Sequence, residues 1–347
     1  MGNTETFHSD WILAVDIGGT KTAAALVSSH GEIRARKQEA TSQDGPQAGI
    51  TQVVRLVRGL LQENSLTSAQ CRCLGVGIPA VLEPETDQVI WAPNLRGWRD
   101  VPLRSRLEAE LGLPVFIEYD GHAAVLGEWW VGSGRGLRSI VDVIIGTGIG
   151  GGMILDGRLH RGQNRLAGAA GWFALTTDAD LEDQRARALG FWEPRAAGPG
   201  LMQRTQESLE QHRDSLLWSI AQAEPLTPTH LFSAAKQKDA YALEVVEEFA
   251  GWVGLGIANI ISLINPEMVI LGGGIGTQCD FLLPRIRQVV ERWAQPISAG
   301  SAVITVSRLG ADAGLLGAAY SAILRHPSID PDRKEVRKER ENHRHVP

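Results

Sequence analysis

The sequence predicts an α/β protein of two lobes with a cleft between them, and three observations lead there. Short apolar runs alternate with stretches of helical hydrophobic spacing. A strand, glycine turn, strand plan at residues 11–27 recurs at 139–155. The chain, with 347 residues and 43% hydrophobic composition, is long enough for two cores rather than one.

Residues 11–17 form an apolar run, Gly18-Gly19 is a turn signal, and 22–27 resumes the apolar stretch before another turn at His30-Gly31. The fold therefore opens on a β-hairpin. Ile50, Val53, Val54, Val57, Leu60 and Leu61 fall on one face of a helix over 47–63. A buried strand over 74–78 is closed by Pro79, then come a helix at 103–111, a strand at 115–117 and a helical run at 123–130. In the second half, strands at 139–145 and 151–155 flank a glycine-rich turn, the pattern of an internal duplication. A helix over 240–263 stops before Asn265-Pro266, because a residue preceding proline is pushed out of helical geometry. Residues 268–271 run as a strand into Gly272-Gly273-Gly274, followed by a helix at 279–293, a strand at 302–306 and a helix at 311–324. The expected division is a disordered lead-in at 1–10, a small N-terminal α/β domain at 11–119 on which helix 311–324 packs back, and a large α/β domain at 120–310. A disordered tail follows at 327–347, rich in Arg, Lys, Glu and His and too polar to offset the entropy of ordering.

A net charge of −6 gives no clustered basic face for nucleic acid. Cys71, Cys73 and Cys279 are too few and too irregularly spaced for a disulfide framework or a zinc site, which fits a reducing cytoplasm. The polar first ten residues do not read as a signal peptide, and no segment of about 18 unbroken apolar residues suggests a membrane span.

Three glycine loops carry the chemistry. Asp16-Ile-Gly-Gly-Thr-Lys21 lies between two strands, which is neither the strand-to-helix setting of a Walker A loop nor that of a Rossmann turn. Positive φ at Gly18 and Gly19 would turn consecutive N–H groups toward one point, an anion nest suited to phosphate. Asp16 at the strand end could hold Mg²⁺ through water, since that ion uses one or two carboxylates. An ordinary tight hairpin would carry the same glycines. Gly146-Thr-Gly-Ile-Gly-Gly-Gly152 sits between strands in the same way, and Gly272-Gly273-Gly274 follows a strand and precedes a helix, where absent side chains would let a base or ribose lie against the backbone.

With Asn265-Pro-Glu-Met-Val-Ile-Leu-Gly-Gly-Gly274, these segments resemble the two phosphate motifs and the adenosine motif of the ROK family. The resemblance runs from about residue 11 to 324 and takes in Gly75-Val-Gly-Ile-Pro79, Ala92-Pro-Asn-Leu95 with Gly97-Trp98, and Leu309-Gly-Ala-Asp-Ala-Gly-Leu-Leu-Gly317. It implies a duplicated, two-lobed actin/hexokinase-like (RNase H-like) fold with nucleotide and sugar in the cleft, and a protein that is a sugar kinase or a sugar-responsive repressor. Only fifteen residues precede Asp16, too few for a repressor's winged helix, so the kinase branch is expected. The resemblance assigns ATP and Mg²⁺ to Asp16, Gly18, Gly19, Thr20, Lys21, Gly146, Thr147, Gly148, Gly150, Gly272, Gly273 and Gly274. It assigns the sugar to Gly77, Asn94 and Glu193, the role of general base to Asp120, and a homodimer as the usual assembly. Asp120, before a helical run, would also serve as an N-cap.

Departures surround the base. The family pattern Asn-Asp-Ala-Asn reads Tyr119-Asp120-Gly121-His122 here, and Leu-Ala-Gly-Glu-x-Gly-His reads Leu166-Ala-Gly-Ala-Ala-Gly-Trp172. Ala169 and Trp172 thus replace a sugar-binding glutamate and a histidine that also ligates zinc, and no cysteine occurs from 173 to 191. No zinc is expected, with Trp172 either filling the vacated volume or stacking on a sugar face. Two functions stay open on these residues: an ATP-dependent sugar kinase, and a sugar or nucleotide sensor whose acceptor site has degraded. A repressor lacks its reading head.

Overall fold

Strand β1 (Trp11–Ile17) pairs antiparallel with β2 (Lys21–Ser28), whose far edge carries β3 (Ile33–Ala40), and pairs parallel on its other side with β4 (Cys71–Ile78). β5 (Val81–Leu82), β6 (Val89–Trp91) and β7 (Arg99–Val101) form a small separate sheet, and β8 (Val115–Tyr119) completes the first, giving the order β3-β2-β1-β4-β8. In this computed structural model residues 11–175 and 190–326 are described. The expected lead-in 1–10 and tail 327–347 lie outside them.

The second sheet repeats the first. β9 (Ile140–Ile145) pairs antiparallel with β10 (Ile149–Leu155), which carries β11 (Arg158–Leu159), and parallel with β12 (Met268–Gly272), which carries β13 (Val303–Val306). The order β11-β10-β9-β12-β13 matches β3-β2-β1-β4-β8 strand for strand, as the expected duplication requires. The first and second glycine turns each join the central antiparallel pair of their sheet, β1–β2 and β9–β10.

Among the described residues one compact unit holds 11–131, 162–166 and 312–326, and the other 132–161, 167–175 and 190–311. The boundary expected after residue 119 therefore falls at Val131, and helix Asp120–Trp130 belongs with the first unit. The cause is close helix packing. A Cβ on Gly127 would strike the Ala313 carbonyl, and one on Gly317 would strike the Ala123 carbonyl. The two helices, Asp120–Trp130 and Ala313–Arg325, meet at backbone distance only because both positions lack side chains. Gly75 does the same for β4 beneath the second helix, against the Ala318 carbonyl.

The first core is built from Leu13, Val15, Leu26 and Val76 of the sheet with Val53, Val57 and Leu60 of helix Pro46–Glu63. The second gathers Val143, Leu271, Phe232 and Trp192 around helix Ala240–Ile264. That helix is long and apolar enough to cross a membrane, but its Phe249, Val253, Ile257 and Ile261 are completely buried in this core.

Candidate active site

In the first unit Asp16, next to last in β1, lies opposite Gly77 of β4, and Gly77 and Gly314 lack side chains where its carboxyl sits. A Cβ on Gly77 would lie 3.4 Å from Oδ1, and one on Gly314 would lie 2.8 Å from Oδ2. Gly314 was inside a motif the sequence flagged, without a role. Asn94 comes next to the first glycine turn, since a Cβ on Gly19 would touch the Asn94 carbonyl oxygen at 3.4 Å and its Cβ at 3.5 Å. Asp120 follows β8 directly as the first helical residue. Tyr119 rather than Asp120 is the N-cap, and Asp120 Oδ1 accepts a hydrogen bond from Gly121 N–H at 2.8 Å.

The charge of Asp120 acts on Asp16. Burial first, and the Asp120 charge second, push Asp16 up to about 7, with Lys21 and Arg36 pulling the other way. Burial likewise raises Asp120 to about 6, against the Gly121 hydrogen bond and His122. Beneath Asp120, His122 Nδ1 lies 3.3 Å from Glu118 Oε1, and Ser321 Oγ donates to Glu118 Oε2 at 3.0 Å. This buried polar group, which sequence reasoning missed, ties helix Asp120–Trp130 to β8 and to helix Ala313–Arg325.

The expected nest geometry is not what the first turn adopts. Neither Gly18 nor Gly19 has a positive φ. Gly18 N–H donates to Lys21 O at 2.9 Å, closing the hairpin, while Thr41 Oγ1 donates to Gly18 O at 2.7 Å and Gln43 Nε2 to Gly19 O at 3.2 Å. The glycines serve close approach instead: a Cβ on Gly18 would stand 3.0 Å from Lys21 O. Thr20 and Lys21 are exposed at the turn's tip.

In the second unit three segments converge on the loop at 146–152. Gly273, at φ +79°, lies where a Cβ would meet Ile145 O at 2.5 Å, so the turn after β12 sits directly on the start of the loop. Gly272 lies beside Asp142, and a Cβ on Gly274 would meet nothing within 4 Å. Glu193 Oε2 accepts from Ile149 N–H at 2.7 Å, and a Cβ on Gly148 would lie 2.5 Å from that oxygen. Burial raises the Glu193 pKa, partly offset by the Ile149 hydrogen bond. The altered motif forms the short turn Ala170–Trp172, in which Gly171 faces both Ile149 O and Glu193. Trp172 is 58% exposed, so it fills no vacated volume. The packing there comes from Phe173, stacked on the fully buried Trp192 with ring centroids 5.8 Å apart.

These loops belong to a pattern known as a whole: residues 12–324 match the model of the ROK family. The chain belongs to the ROK family. A glucokinase from Halalkalibacterium halodurans is 33% identical over 312 residues, covering 89% of this chain and 94% of that protein. The crystal structure of a ROK family glucokinase from Streptomyces griseus in complex with glucose and AMPPNP is 30% identical, with a TM-score of 0.77, and covers 89% of this chain and 98% of that one. A xylose repressor from Caldicellulosiruptor bescii is 30% identical over 244 residues, which is 70% of this chain and 60% of the repressor. The ROK fold, two α/β domains of hexokinase type, is the one the repeated sheet order had indicated.

Proposed function

We propose that this ROK protein is an ATP-dependent sugar kinase that passes the γ-phosphoryl group to a hydroxyl of a hexose-like sugar, with Asp120 as the general base. The observation that carries the reading is the pair of partly buried carboxylates, Asp16 and Asp120, in the first unit, both raised by burial. With its pKa near 6, Asp120 is ionised at neutral pH and basic enough to take a proton, the range in which a general base works best. As the sugar oxygen forms its bond to phosphorus, the bond from phosphorus to the β-phosphate oxygen breaks and the hydroxyl proton goes to Asp120. Positioning and charge stabilisation supply most of the acceleration in such transfers.

Asp16 is the residue proposed to hold Mg²⁺. A carboxyl flanked by two glycines, raised to about 7 and facing a second carboxylate, fits a cation that needs few protein ligands and keeps its waters. When bound, that ion would neutralise triphosphate charge. Among the described residues no group of three or more His, Cys, Asp or Glu is arranged to hold a metal by itself. The triphosphate is assigned to Gly18, Gly19, Thr20, Lys21, Gly146, Thr147, Gly148 and Gly150, the adenosine to Gly272, Gly273 and Gly274, and the sugar to Gly77, Asn94 and Glu193.

A sensor without turnover is the second reading, favoured by Ala169 and Trp172, which give a sugar no carboxylate or imidazole partner. Release of ADP in the presence of a panel of hexoses separates the two. Turnover with at least one sugar, lost in Asp120→Asn, supports the kinase, and ATP binding without turnover on any sugar supports the sensor.

A further inference from the structure

Glu193 does more than wait for a hydroxyl. Its carboxylate lies flat on the second glycine loop, with Oε2 accepting the Ile149 N–H at 2.7 Å. A Cβ placed on Gly148 would stand 2.5 Å from Oε2, 3.0 Å from Cδ and 3.4 Å from Oε1, and one on Gly171 would stand 3.2 Å from Oε2. The room the carboxylate occupies therefore exists because residues 148 and 171 are glycine. Its backbone is fixed from behind: Trp192 is fully buried, stacks on Phe173, and donates Nε1–H to Trp252 O at 2.9 Å. Phe191, on the other side in sequence, packs edge-on against Trp252. A short carboxylate on so rigid a base can set the position of what it touches, and it touches the backbone of the loop at 146–152.

We infer that Glu193 is a positioning residue for this loop, so that one carboxylate serves both the proposed sugar contact and the loop proposed to hold phosphate. The inference rests on the kinase reading above, and it adds a coupling that reading does not contain. Oε2 is committed to Ile149, and Oε1 is the atom left to accept from a sugar hydroxyl. Losing the strut frees the loop, and nucleotide affinity drops even when no sugar is present.

Three variants separate this from a glutamate that only binds sugar. Calorimetry of ATP–Mg²⁺ binding without sugar, and KM for ATP and for glucose, are measured on each. Glu193→Ala weakens ATP–Mg²⁺ on the order of ten- to a hundredfold, the worth of a hydrogen bond to a charged group, and raises KM for glucose as well. Glu193→Gln keeps an oxygen for Ile149 N–H but presents an amide N–H₂ where the sugar needs an acceptor. It therefore restores ATP–Mg²⁺ affinity to within about threefold of wild type while KM for glucose stays raised. Gly148→Ala, which leaves Glu193 in place but displaces its carboxylate, reproduces both losses and adds little in a Glu193→Ala background. Unchanged ATP–Mg²⁺ affinity in Glu193→Ala, with only the glucose KM raised, overturns the coupling and leaves the kinase reading standing. Wild-type protein that turns over no sugar overturns the kinase reading instead, and the calorimetric comparison still decides whether Glu193 braces the loop.

Discussion

Asp16→Asn should make the protein more stable while removing its proposed metal ligand. Keeping Asp16 ionised, with its pKa moved from 3.8 to about 7, costs the folded state up to roughly 4 kcal/mol above pH 7. Because folded Asp16 holds its proton more tightly than the unfolded chain does, the folded state carries more protons between about pH 4 and 7, and stability falls across that window as pH rises. Asparagine has no charge to desolvate and escapes the penalty. Asp16 is only partly buried, so water screens its repulsion from Asp120 and brings the expected gain down to about 2 kcal/mol, or a midpoint rise of about 3 °C in a chain of this length. Thermal melts of wild type and Asp16→Asn at pH 8 and pH 5, in magnesium-free buffer, provide the assay. The variant should melt a few degrees higher at pH 8 and by less than half as much at pH 5, because the penalty builds up between the unfolded value near 4 and the folded value near 7. An equal difference at both pH values, or a less stable variant at pH 8, would mean that ionised Asp16 costs the fold nothing.

Four further outcomes follow from the same geometry. Asp120→Asn should keep ATP binding and lose about 10²–10⁴-fold in kcat, and wild-type kcat should climb with pH through about 6 and then level off, because the base must be ionised; a flat profile from pH 5 to 8 would count against Asp120. Gly19→Val should fold yet lose most of its ATP–Mg²⁺ affinity, since its side chain would press on Asn94 at the mouth of the turn, and wild-type affinity in calorimetry would dismiss that turn as a phosphate loop. Gly317→Ala should cost about 1–3 kcal/mol or more by forcing the helices Asp120–Trp130 and Ala313–Arg325 apart, visible as a lower urea midpoint; an unchanged midpoint would disprove the backbone-distance crossing. The purified protein should contain no stoichiometric zinc and keep its melting temperature in strong chelator, and one zinc per chain by elemental analysis would contradict this.

How far the sequence could be read depended on whether a signal was local. Apolar runs bounded by glycine marked β1, β2, β9 and β10, and their recurrence exposed the duplication that the two matching sheets display. β3 escaped notice because Arg34, Arg36, Lys37 and Glu39 give it no apolar face: it is an edge strand that buries little. The short helices from Trp192 to Lys236 were missed for want of a long amphipathic period. At the site, Asp16, Asn94, Asp120 and the glycine loops were visible as motifs. The reason for the glycines was not. A turn glycine suggests positive φ, but Gly18 is tight against Lys21 O within its own turn, and Gly148 and Gly19 lie against Glu193 and Asn94, neighbours distant in sequence. The effect of the Asp120 charge on Asp16, more than a hundred residues away in sequence, is invisible for the same reason.

Phosphoryl transfer to a sugar can be followed directly with label from γ-³²P-ATP. With a panel of hexoses and Mg²⁺, the wild-type protein should move label onto at least one sugar, and Asp120→Asn should leave it on ATP. Wild-type protein that binds ATP and sugar yet transfers label to no member of the panel would show that it is not a kinase for these sugars.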